Sequence, residues 1–169
     1  MSIGTNIEIG KAWVGNVQVG EAYAGDRLIY KAEQAYNDVQ VATKSYVGDG
    51  LTGTQTADVS YDMRGFNALT LAYDCTVEMV WSKGNGLGST LSIYAVFNGT
   101  ERLITTTAHT LYGAGTTYTL NGNATIDLTA YTEEQKQNVD FKATLAVNEA
   151  SGEDKAKYFT VNLSNILAQ

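Results

Sequence analysis

Glycine next to asparagine or aspartate punctuates this chain, and the pairs stand between short alternating apolar runs: Gly15-Asn16, Gly25-Asp26, Asn98-Gly99 and Asn121-Gly122. Such dipeptides supply the positive φ angles that tight two-residue hairpin turns require. Proline is absent from all 169 residues, so turns fall to Gly with Asn or Asp. After Val39-Gln40-Val41-Ala42-Thr43-Lys44-Ser45-Tyr46 and its turn at Val47-Gly48-Asp49-Gly50, strand-like runs follow near 54–62, 67–73, 75–82, 89–97, 101–108, 116–120, 123–129, 139–147 and 157–164. Asn98-Gly99 and Asn121-Gly122 both read as turns between neighbouring runs. Short strands at this spacing predict an all-β sandwich, jelly-roll or Ig-like, or a barrel, rather than an α/β fold. Thr is the commonest residue, which suits a pleated, half-buried surface. A single helical turn is expected at Thr132-Glu133-Glu134-Gln135, which has capping-box form.

The N-terminus carries an internal repeat. Ile9-Gly10-Lys11-Ala12-Trp13-Val14-Gly15-Asn16 recurs ten residues on as Val19-Gly20-Glu21-Ala22-Tyr23-Ala24-Gly25-Asp26. The repeat predicts a three-stranded meander with strands near 7–14, 17–24 and 27–32. Alternation places Ala12, Val14, Val17, Val19, Tyr23, Leu28 and Tyr30 on one face and Ile7, Ile9, Lys11, Trp13, Ala22, Ala24 and Ile29 on the other. Both faces are largely apolar, and so small a sheet needs something packed against it. Residues 1–35 therefore read as an attachment or oligomerisation element, residues 33–37 as a hinge, and residues 36–169 as a β-sandwich domain. Trp13, Val14, Tyr23, Leu28 and Tyr30 are its candidate interface residues, because large buried apolar anchors dominate interface energetics.

Composition narrows the chemistry. A single cysteine, Cys75, excludes an intramolecular disulfide framework and a thiolate zinc site, and it reads as a buried free thiol. One histidine, His109, excludes sites built from several imidazoles, and it reads as a loop residue beside a Gly-rich segment. The net charge of −7 disfavours nucleic acid and anionic membranes as partners. No run is long and apolar enough for a membrane span, and Met1-Ser2-Ile3-Gly4 shows neither a secretory signal nor a myristoylation site. Gly84-Asn85-Gly86-Leu87-Gly88 lacks the dinucleotide spacing and precedes strand-like residues, so it reads as a loop between strands. Asp58, Asp62, Asp74, Glu78, Asp127 and Asp140 fall on strands, Asp58 and Asp62 on one face of the same strand. Paired carboxylates are what glycoside hydrolysis needs, but in so acidic a chain they are expected on every solvent face. Asp49 and the Glu153-Asp154 pair match no calcium-loop spacing. Neither catalytic residues nor a metal or cofactor is expected. Trp81, Tyr112 and Tyr118 are candidates for stacking on a sugar ring, Tyr112 and Tyr118 bracketing a small-residue loop.

Ala12-Trp13-Val14-Gly15-Asn16 and Ala22-Tyr23-Ala24-Gly25-Asp26-Arg27-Leu28-Ile29-Tyr30 resemble an element of tailed-bacteriophage structural proteins, in which aromatic-Val-Gly-Asp stretches recur; Tyr46-Val47-Gly48-Asp49 echoes it. The segments 125–131 and 139–145 are similar to the closing strands of jelly-roll modules, which occur in viral fibres and capsids and often bind carbohydrate. The resemblance implies a non-enzymatic virion protein made in the bacterial cytoplasm, a head-decoration, head-fibre or tail component. Its implied partners are copies of itself and other virion proteins. The alternative it implies is a carbohydrate-binding module that recognises host-surface glycan.

Overall fold

The computed structural model describes residues 12–14, 17–19, 21–24, 27–43, 46–48, 50–79, 87–111, 117–147 and 156–169. The first four strands are β1 (Ala12–Val14), β2 (Val17–Val19), β3 (Glu21–Ala24) and β4 (Arg27–Lys31). Next come β5 (Gln34–Ala35), β6 (Val39–Ala42), β7 (Val47–Gly48) and β8 (Thr52–Thr56). The long strands are β9 (Ala68–Met79), β10 (Leu87–Phe97), β11 (Thr100–Leu111) and β12 (Thr117–Asp127). A helical turn, α1 (Glu133–Lys136), then leads into β13 (Val139–Val147) and β14 (Ala156–Ala168).

Two antiparallel sheets form a sandwich. One has the order β11-β10-β13-β8; the other has β12-β9-β14, with β5, β6 and β7 all pairing along β14. The pairings nest: β6 with β14, β8 with β13, β9 with β12, β10 with β11. Each strand of the first half finds its mirror partner in the second half, and the folded-over ribbon is a jelly roll rather than an Ig-like sandwich. The core lies between the sheets because the strands alternate. On β13, Val139, Phe141, Ala143, Leu145 and Val147 are all buried, with half-buried residues between them. Leu91, Ile93, Ala95 and Phe97 on β10 and Phe159, Val161 and Leu163 on β14 meet them in the same cluster. On β14 a register shift between Ser164 and Leu167, with Asn165 at φ 51°, changes the alternation so that Ile166 also turns inward.

Local chemistry explains several elements. Asn98 and Gly99 have φ of 45° and 86°, and Phe97 pairs with Thr100, so this dipeptide makes the expected two-residue turn with both central residues left-handed. Thr132 caps α1: its hydroxyl accepts from the Gln135 N–H at 3.2 Å, and the Gln135 side chain accepts from the Thr132 N–H at 3.0 Å. Lys136 is buried, donating to the Phe66 carbonyl at 3.0 Å and pairing with Glu133.

Among the described residues the N-terminal segment shows two pairings, β1 with β2 and β3 with β4; residues 7–11 of the expected three-stranded meander lie outside the described residues. Among the described residues the middle run divides its pairing: Val17–Val19 go to β1 and Glu21–Ala24 to β4. Beyond the N-terminal hairpins, three expectations are revised. Asn121-Gly122 is not a turn but the middle of β12, where Gly122 lies opposite Tyr73. A Cβ there would come within 2.5 Å of the Tyr73 hydroxyl, so this glycine makes room for a ring. The runs at 67–73 and 75–82 merge into β9, Asp74 simply taking a solvent-facing position in it. The 33–37 hinge is strapped down: Gln34 and Ala35 pair with Ala168 and Leu167, Tyr36 N–H donates to the Ile166 carbonyl at 2.8 Å, and the Tyr36 ring lies 4.8 Å from Tyr61.

Candidate functional site

The five expected interface residues all fall in the hairpins. Val14 pairs with Val17 and Ala24 with Arg27, the register that the sequence predicts for strands on either side of Gly15-Asn16 and Gly25-Asp26. Tyr23 and Leu28 are direct cross-strand partners, whereas Trp13 stands opposite Gln18 in the other hairpin. A register shift between Ala22 and Tyr23 sets Tyr30 opposite Ala22, although simple alternation assigns those two to different faces. Neither hairpin pairs with a sandwich strand among the described residues. At the end of β4, Lys31 donates to the Arg64 carbonyl at 2.7 Å and lies 4.3 Å from the centre of the Phe66 ring.

Of the three stacking candidates, Trp81 and Tyr112 lie outside the described residues. Tyr118, on β12, is half-buried and packs against the core. Its hydroxyl is 3.3 Å from Ser89 Oγ, and its ring centre is 4.7 Å from that of the exposed His109. Burial pushes the Tyr118 phenol above its ordinary range. Ser89 also accepts from Lys157 Nζ at 2.8 Å. Lys157 lies within the sandwich at 0% exposure, and burial pulls its ammonium down to about 8. A lysine beside a serine hydroxyl is a known nucleophilic pairing. Here Ser89 is 1% exposed, so the couple is part of the packing and ties β10 of one sheet to β14 of the other. Sequence reading missed Lys157, yet a signal exists: it is in phase with Phe159, Val161 and Leu163. Cys75 is the expected buried free thiol, its pKa pushed up to about 12 by burial.

The carboxylates disperse. Asp58 and Asp62, expected on one strand face, lie beyond the end of β8, on either side of Tyr61, which bridges to Val139. Asp62 is held by Arg64, whose side chain donates to it at 2.6 Å and keeps its carboxyl below the usual range. Asp127 accepts from the Thr129 N–H at 2.9 Å. Asp140 sits on β13 and Asp74 and Glu78 on β9, in phase with solvent. Among the described residues, no group of three or more His, Cys, Asp or Glu is placed to hold a metal ion. Nor is any helix among them long and apolar enough to cross a membrane.

No family model and no curated protein matches the chain. Among solved structures it is similar to a mutant VP2 protein of infectious bursal disease virus in T=1 particles, at 15% identity and a TM-score of 0.47, over 90% of this chain and 42% of that one. The structure of the Gt strain of the same virus gives 15% identity and a TM-score of 0.45, over 99% of this chain and 44% of that one. A structure described as CBM4 structure and function gives 16% identity and a TM-score of 0.27, over 77% of this chain and 94% of that one. The chain thus spans about two fifths of the viral proteins it matches.

Proposed function

We propose that the chain is a non-enzymatic structural component of a virion, of the tailed-bacteriophage head-decoration, fibre or tail type, acting through assembly. The observation that carries this reading is the pair of N-terminal hairpins, which stand as two separate two-stranded sheets among the described residues. An isolated hairpin is marginal in water and gains stability by adding its strands or its apolar surface to something else. In this reading Trp13, Val14, Tyr23, Leu28 and Tyr30 are the residues that meet the partner, and their repeat is the part of the sequence that resembles phage structural proteins. In this arrangement the jelly roll is the displayed body, and the hairpins engage other virion proteins or further copies of the chain.

Removing residues 1–30 tests the reading and leaves Lys31 and β5 in place. The shortened chain is expected to keep the melting temperature of the sandwich and to lose incorporation into particles, measured by mass spectrometry of purified virions. Incorporation at normal occupancy would sink the assignment. Sedimentation of the full and shortened chains separates self-association from attachment to a different protein.

A further inference from the structure

The outward face of the β12-β9-β14-β6 sheet carries a polar row. Cross-strand register aligns Asn121 on β12, Asp74 on β9, Asn162 on β14 and Gln40 on β6, and all four are exposed. Four strands at about 4.8 Å spacing make this row about 14 Å long. Gln40 Nε2 donates to Asn162 Oδ1 at 2.8 Å, orienting two of the amides. The adjacent row holds Thr119, Thr76 and Thr160, and the row on the other side holds Asn123, Ala72 and Ser164, so short side chains flank the planar ones. Four residues along β14 from Asn162, about 13 Å at strand rise, stands Tyr158. Its ring centre is 5.8 Å from that of Tyr46, which is 61% exposed.

The chemistry of this face selects its occupant. Amide N–H groups and a carboxylate offer donors and acceptors together, and the polar row has no large apolar side chain of the kind that forms a protein-interface core. None of these outward positions is a cation, while Asp74 is an anion and Glu78 stands opposite Tyr158, so phosphate backbones are disfavoured. A polyhydroxylated, uncharged ligand with one apolar ring face satisfies both ends of the platform: hydroxyls on the amide row, a ring face on the tyrosines. We infer that the outer face of this sheet is a binding platform for neutral oligosaccharides, with Asp74, Asn121, Asn162 and Gln40 as hydrogen-bonding residues and Tyr46 and Tyr158 as the stacking pair. This site does not use Tyr118, which packs against the core, and it is independent of whether the hairpins anchor the chain in a particle.

Titration of the full chain with cellotriose, maltotriose, mannotriose and lactose, followed by NMR, tests it, with sialyllactose as the charged comparison. Saturable binding of at least one neutral sugar is expected, with shifts confined to β6, β9, β12, β14 and Tyr46, and weaker binding of sialyllactose. Asp74→Ala and Tyr46→Ala should each weaken that binding at least ten-fold, and Asn162→Ala should repeat the effect. All three positions are solvent-facing, so an unchanged melting temperature is expected in each variant and separates lost contact from lost fold. The inference is overturned if no neutral sugar binds saturably at millimolar concentration, if sialyllactose binds best, or if either Asp74→Ala or Tyr46→Ala leaves binding unchanged.

Discussion

Lys157 shows what one residue costs when the fold overrules its chemistry. Its ammonium is enclosed with Ser89 and Tyr118 between the sheets, and burial lowers its pKa to about 8 from an ordinary 10.5. Because the folded state binds this proton less tightly than the unfolded chain, the penalty is present in full below pH 8. It is relieved as pH rises from 8 toward 10.5. Lys157→Met removes the titration and keeps the volume. Chemical denaturation at pH 7 and pH 10 should show the native chain gaining on the variant by on the order of 2 kcal/mol; parallel pH profiles would refute the assignment. The alternation around Lys157 was legible in the sequence, since Phe159, Val161 and Leu163 share its phase. Its partner was not, because Ser89 is 68 residues away and meets it only across the two sheets.

Among the strands and turns, two similar dipeptides met opposite fates. Asn98-Gly99 turns the chain, with both residues left-handed, whereas Asn121-Gly122 runs straight through the middle of β12. Local sequence made both look like hairpins; the difference lies in what each glycine faces. Gly99 has open space where a Cβ would stand but a φ of 86°, while a Cβ on Gly122 would collide with Tyr73. Gly99→Ala and Gly122→Ala should each destabilise, by about 1 kcal/mol for the turn and roughly 1–3 kcal/mol for the overpacked strand. Thermal or denaturant melts in a Tyr73→Ala background discriminate between the causes. The Gly122→Ala cost should largely disappear there and the Gly99→Ala cost should remain; equal costs in both backgrounds would contradict the steric account. The same reasoning explains why the α1 cap and the β13 alternation were readable: each is set by residues within a turn or a strand of one another.

At the scale of the molecule, the jelly roll joins chain ends to each other. β14 pairs with β5, β6, β7 and β9, so the last strand holds together one side of the sheet that the first sandwich strands occupy. Strand spacing made the all-β class evident, but the nesting of β6 with β14 and β8 with β13 is a pairing across more than eighty residues that periodicity does not encode. Such long-range closure makes folding slow and cooperative, because loop entropy is lost before most core contacts form. It also makes the two ends of the chain unequal. A chain ending at residue 155 leaves β9 without one neighbour, removes Phe159, Val161, Leu163, Ile166 and Ala168 from the core, and leaves β6 without its partner. That chain should lack a cooperative melt and dispersed amide resonances, whereas a chain starting at residue 31 should retain both. A folded, cooperatively melting 1–155 fragment would mean that the sheets close without β14, and that the nested order is not what holds the sandwich.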